Sequence, residues 1–217
     1  MKKFEAVLNS AVSDEIINQN PFRLIKSENK PKLHKTEIVY LPLDEIAKLE
    51  NTECPSPNVK QAFLFCCFTG LRISDTKGLT WEKLKKDLNG NLFISYITRK
   101  TKKYDCLPVS KKAEEFLPDR ASADDADRVF ALPGVGYFNL QLKAWAALAG
   151  VKVHLTSHVA RKSCASNLLT MGERMEVVSK ILAHSSIMTT EAAYGVIAKP
   201  LQREAMNKFD KFYGLTV

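Results

Sequence analysis

The stretch Ala62-Phe63-Leu64-Phe65-Cys66-Cys67-Phe68-Thr69-Gly70-Leu71-Arg72 sets the reading of this chain. The segment Pro57 to Thr69 is strongly apolar, so it predicts a helix buried at the centre of a core rather than laid on its surface. Gly70 stops it, because glycine tolerates the positive φ on which many helices end. Arg72 lies just past that stop. Ile73 to Lys77 then starts another helical turn, with Trp81 packing underneath.

Working outward, the elements on both sides suit such a core. Phe4 to Ile17 carries Phe4, Val7, Leu8, Val12 and Ile16 near helical spacing, and Asn20-Pro21 ends it. Arg23 to Lys35 is polar and basic, carries Pro31, and reads as a linker. Leu43 to Glu50 reads as a short helix. Leu92 to Thr98 and Tyr104 to Val109 are rich in β-formers and flank a basic turn, which predicts a hairpin or sheet edge. Helices follow at Lys111–Leu117, Tyr137–Ala149, Ser157–Met171, Glu173–Ala183 and Leu201–Phe212, with Tyr194 in the segment between the last two. The expected fold is therefore mainly α with a small antiparallel β-sheet (α+β). One helix cannot bury its apolar face alone. Residues 1–22 accordingly read as the last helix of a truncated domain or a helix docked on a partner, 23–38 as a linker, and 39–217 as the main domain.

Composition bounds the function. The 217 residues are 45% hydrophobic and 26% charged, as in a globular protein. No apolar run approaches the roughly 20 residues that cross a bilayer, and the basic start lacks the apolar stretch of a secretory signal. A cytoplasmic protein with no membrane partner is expected. The 32 basic and 24 acidic residues leave a net charge of +8, which favours a polyanionic partner. Basic residues cluster at Lys83, Lys85 and Lys86, at Arg99, Lys100, Lys102 and Lys103, and at Arg161 and Lys162. The cysteines, Cys54, Cys66, Cys67, Cys106 and Cys164, form no Cys-x-x-Cys pair and read as reduced, mostly buried small hydrophobes. His154 and His158 lack the glutamate of a zincin pattern, so no metal site is expected.

Three islands carry candidate chemistry. The first is Thr69-Gly70-Leu71-Arg72-Ile73-Ser74-Asp75. Alone, Arg72 reads as an ordinary salt-bridged arginine. The second is His158-Val159-Ala160-Arg161. Positions i and i+3 share a helix face, so a proton carrier and a planar fork of donors suited to phosphate oxygens would point to one place. Solvated helix faces often carry such a pair. The third is Leu182-Ala183-His184-Ser185-Ser186-Ile187-Met188-Thr189-Thr190, followed by Glu191-Ala192-Ala193-Tyr194. A phenol with a pKa near 10 attacks poorly at neutral pH, and becomes a nucleophile only beside cations and a base.

Together, and in this order, the islands resemble the tyrosine recombinases, or phage-integrase family. That family has a Thr-Gly-Leu-Arg box, a lysine on a β-hairpin, a His-x-x-Arg box, a Leu-Gly-His-Ser-like box and a tyrosine close behind it. The matching residues are Arg72, Lys100, His158, Arg161, His184 and Tyr194, and the resemblance covers residues 39–217. The Asn20-Pro21-Phe22 turn is similar to the junction after the family's N-terminal core-binding domain. Three positions depart from the pattern. Ala183 stands for the usual glycine, and Lys162 for a common histidine. His184 and Tyr194 are ten positions apart where nine is usual. One extra residue turns a helical side chain by about 100°.

The resemblance implies a site-specific recombinase or integrase with that family's catalytic-domain fold. Tyr194 would attack a phosphate of double-stranded DNA and form a 3′-phosphotyrosine link, without metal, ATP or any cofactor. Arg72 and Arg161 would hold the phosphate oxygens, His158 would take the tyrosine proton, Lys100 would protonate the leaving oxygen, and His184 would bond the phosphate. Arg99, Lys102, Lys103 and Lys162 would contact DNA. The family also implies a homo-tetramer on DNA, with a monomer possible for an isolated fragment. Residues 201–213 would form a helix docked on a neighbour or on their own core. Two other readings keep the fold: a type IB topoisomerase-like enzyme that relaxes DNA, and a non-catalytic DNA-binding protein.

Overall fold

The computed structural model describes residues 2–29, 38–97, 104–184 and 186–194, with 207 and 212. The turn that carries Arg99, Lys100, Lys102 and Lys103, and most of the expected helix at 201–213, lie outside the described residues. The chain divides into two compact units, Met1–Glu37 and Ile38–Val217.

The first unit holds α1 (Lys2–Ser13) and α2 (Pro21–Leu24). Helix α1 stops short of the expected Ile17. The acidic pair Asp14 and Glu15 sits at its negative end, which disfavours extension. Glu15 takes φ 56° there, and the N–H groups of Ile16 and Ile17 both return to the Ala11 carbonyl. The Asn20 side chain caps α2 by accepting from Phe22 N–H.

The second unit is built around α4 (Pro57–Thr69), as its sequence requires. Val59, Ala62, Phe63, Leu64, Phe65, Cys66, Cys67 and Thr69 are all buried, so the helix has almost no solvent face. It packs against α3 (Leu43–Asn51), α5 (Ile73–Thr76), α6 (Lys111–Glu114), α7 (Val135–Leu148) and α8 (Ser157–Thr170). Aromatic rings fill the joints. Phe63 meets Trp145 edge-on at 6.0 Å, and Phe68 stacks on Phe116 at 5.6 Å. Trp81 is half-buried against this core, as its position after the α5 turn predicts. Helix α9 (Met175–Ile181) follows α8.

The sheet has three antiparallel strands: β1 (Leu84–Lys86), β2 (Leu92–Ile97) and β3 (Tyr104–Pro108), in that order. Leu92, Ile94 and Tyr96 point into the core and alternate with more exposed residues, the period of a half-buried strand. Strand β1 was not expected, since three residues with two lysines carry no strand pattern. It forms because a turn brings it to the free edge of β2. Asp87 closes that turn by accepting from the N–H groups of Asn89 and Asn91, both at 2.8 Å, and Gly90 supplies φ 79°. Among the described residues no helix is long and apolar enough to cross a membrane.

Candidate active site

Helix α8 is the spine of the site. It is amphipathic in neither direction, because its small polar residues are buried and used. Ser163 accepts from Leu41 N–H at 2.8 Å, and Asn167 donates to the Leu41 carbonyl at 3.0 Å, which ties the start of the unit to this helix. Thr156 makes no side-chain cap at its N-terminus. The Asn139 side chain on α7 accepts from Ser157 N–H at 2.9 Å instead. His158 lies in this first turn, exposed, and makes no hydrogen bond or ion pair among the described residues. Lys162 is half-buried.

One turn on, Arg161 is buried and plays a part its sequence position did not announce. One terminal nitrogen donates to the Gly70 carbonyl at 2.7 Å, where α4 ends, and the other to the Leu182 carbonyl, where α9 ends. A guanidinium thus satisfies the last carbonyls of two helices and meets the negative ends of both dipoles. Burial, then the nearby Arg72, pulls its pKa down to about 10, while Tyr194, Tyr96 and Asp75 work the other way. At neutral pH it stays charged.

The two helix ends fit closely. Gly70 has φ 69°, and a Cβ there would lie 2.9 Å from Leu182 Cδ2 and 3.3 Å from Cys164 Sγ. A side chain here would have to push both aside, and the positive φ would strain it as well. Arg72 follows at the start of α5, half-buried, with Nη1 3.9 Å from the Asp75 carboxylate. Asp75 is itself buried. The sequence showed Arg72 and Asp75 three apart, but not that both face Arg161.

Helix α9 ends in a Schellman motif: His184 N–H returns to the Ser179 carbonyl at 3.0 Å and Ala183 N–H to the Lys180 carbonyl at 2.8 Å. Ala183 holds φ 47° at the position that favours glycine. The departure from the family pattern at Ala183 is therefore a strained residue. The cap aims His184 at the next helical stretch, residues 187–194, where Nδ1 lies 2.8 Å from Thr190 Oγ1.

Tyr194 sits at the described end of that stretch, in a helix rather than the connecting segment expected for it. It is buried in a small cluster with Ala165, Leu169, Val178 and Leu182. Its pKa is raised, chiefly by burial, with Arg161 pulling it down and Cys164 pushing it up. Arg72, Arg161 and Tyr194 therefore share one neighbourhood, with Asp75 and Tyr96 around Arg161. Cys66 and Cys164 lie beneath with thiols pushed up to about 12 by burial, so they are inert packing residues.

Two convergent arginines, a buried tyrosine and a histidine on a capped turn form a set suited to phosphoryl transfer. Similar proteins are found among recombinases and integrases. A tyrosine recombinase XerD from Lacticaseibacillus casei is 26% identical over 190 residues, covering 81% of this chain and 63% of that protein. The integrase of Escherichia phage 186 is 27% identical over 192 residues, covering 86% and 52%. Among solved structures, the Tn1549 transposon integrase in complex with transposon right end DNA superposes with a TM-score of 0.67 at 18% identity, covering 95% of this chain and 77% of that one. The profile of the Phage integrase family matches residues 40–199, and the chain belongs to that family. It spans between half and two thirds of the length of the two curated relatives named here.

Proposed function

We propose that this chain carries the catalytic domain of a tyrosine recombinase that cleaves and rejoins double-stranded DNA, with Tyr194 as nucleophile. The observation that carries the reading is the shared neighbourhood of Arg72, Arg161 and Tyr194. The relatives named above are a recombinase and integrases, which favours strand exchange over topoisomerase-like relaxation. Residues 39–217 are assigned to catalysis, and residues 1–22 to a unit that grips DNA.

In the proposed reaction the Tyr194 oxygen attacks a scissile phosphate, forming a 3′-phosphotyrosine and releasing a 5′-hydroxyl. A second 5′-hydroxyl reverses the step on a new partner, so bond energy is conserved. Arg161 is held rigidly by two carbonyls, and its other N–H groups and those of Arg72 stabilise charge on the non-bridging oxygens. His158 takes the tyrosine proton, and its exposure leaves it free to reach DNA-bound groups. His184 donates to a phosphate oxygen. Lys100 protonates the leaving oxygen from the β2–β3 turn, and Arg99, Lys102, Lys103 and Lys162 grip backbone phosphates, which makes binding salt-dependent. A homo-tetramer on DNA, in the cytoplasm, is the working assembly.

A pool of nicked suicide duplexes, randomised in sequence, tests this. The chain should trap DNA covalently, and Tyr194→Phe should abolish trapping while leaving the fold intact. Binding without any trapped product in the wild type would point to the non-catalytic reading.

A further inference from the structure

We infer that Asn139 is a positioning residue for His158, because it caps, from a neighbouring helix, the turn that carries this imidazole; the inference rests on the recombinase reading. The first N–H groups of a helix have no partner within it. In α2 and α6 the residue just before the helix supplies one. Asn20 accepts from Phe22 N–H at 2.9 Å, and Ser110 from Ala113 N–H at 3.2 Å. Helix α8 lacks such a local cap, since Thr156 makes no side-chain cap bond. Ser157 is buried, so leaving its N–H unpaired would be costly. Asn139 on α7, 18 positions earlier, accepts from it at 2.9 Å. A backbone N–H can only donate, so the amide oxygen of Asn139 must face it, which fixes the orientation of the side chain.

His158 is the next residue. Its side chain is exposed and makes no hydrogen bond or ion pair among the described residues. No polar contact of its own places the imidazole, so the backbone of this first turn does. Arg161, one turn on, is held separately by the Gly70 and Leu182 carbonyls. The spacing between the proposed base and the proposed phosphate clamp thus depends on the first turn staying wound, and Asn139 is the side chain that holds it. The platform under Asn139 is firm. Phe138, Leu142 and Trp145 bury one face of α7 in the core. Just before α7, the Pro133 carbonyl accepts from Lys77 Nζ at 3.0 Å, and Lys77 ends α5, the helix that Arg72 starts. The start of α7 therefore braces both turns, one through Lys77 and the other through Asn139.

The test uses the intact chain with Asn139→Leu, which keeps the bulk and removes the acceptor, and Asn139→Asp, which keeps an acceptor oxygen. Without DNA, NMR of the wild type should show a scalar coupling across the hydrogen bond, from the Ser157 nitrogen to the side-chain carbonyl carbon of Asn139. Asn139→Leu should move the His158 carbon shifts from helical toward coil values, and Asn139→Asp should keep them helical. With the nicked pool, Asn139→Leu should slow covalent trapping about tenfold, the scale of one lost helix cap. Asn139→Asp should restore the rate, and the DNA dissociation constant should not move. In a His158→Ala background, followed over hours, Asn139→Leu should cost nothing further, because the turn no longer carries the base. A wild type without the coupling overturns the assignment, even if Asn139→Leu fails to fold. So do helical His158 shifts in Asn139→Leu, or an equal slowing in the His158→Ala background, which marks a merely structural cap. Absence of trapping in the wild type overturns the recombinase reading instead, while the coupling and the shifts still decide whether Asn139 places His158.

Discussion

Ala183 shows how one backbone angle stores strain next to His184. Its φ of 47° is a conformation in which an L side chain crowds the backbone, and it is held by the two hydrogen bonds that close α9. Ala183→Gly should stabilise the protein by about 0.5–1 kcal/mol, since relief of that crowding exceeds the entropy that glycine gains in the unfolded chain. Denaturant titration checks this, and a loss of stability would contradict the strain. Tyr194 gives a second prediction at this scale. Burial raises its pKa above the ordinary value of 10.0. Below pH 10 the phenol is neutral in both states and its contribution is complete. Above pH 10 the unfolded phenol ionises while the folded one does not, so the contribution is lost as pH rises through the folded pKa. Ultraviolet titration should show one tyrosine ionising late, and that late step should be missing in Tyr194→Phe.

Between elements, the decisive link is Arg161, which joins the ends of α4 and α9 from the middle of α8. A lysine keeps the charge but cannot donate to both carbonyls from one planar fork. Arg161→Lys should therefore cost about 2–3 kcal/mol of stability, the value of charged hydrogen bonds lost in a buried place. Urea unfolding would measure it. A change below about 0.5 kcal/mol, the usual range for surface substitutions, would mean that the bridge does not hold the helix ends together. Because both carbonyls belong to the islands that carry Arg72 and His184, the same change should also disorder the proposed site.

At the scale of the whole molecule, the chain divides into two compact units, Met1–Glu37 and Ile38–Val217. The second contains α4, the sheet and every described candidate residue. Residues 38–217 alone should fold cooperatively, with a melting temperature within about 4 °C of the full chain, which corresponds to about 1 kcal/mol for a domain of this size. Calorimetry checks it. A broad or absent transition would show that the second unit depends on the first.

The sequence by itself determined the central helix and its glycine stop, because an apolar segment closed by Gly70 has few other solutions. It also determined β2 and β3, whose alternation is local, and the order of Arg72, His158, Arg161, His184 and Tyr194. Strand β1 was hidden, since its pairing depends on the exposed edge of β2 and not on its own three residues. The tertiary structure alone decided that Arg161 spans two helix ends, that Asn139 caps α8, and that Thr190 meets His184. Those contacts join groups brought close by packing, which leaves no local pattern to read. The ten-residue step from His184 to Tyr194 belongs to the same class. Spacing raised the question of where Tyr194 lies, and the packing buries it among Ala165, Leu169, Val178 and Leu182.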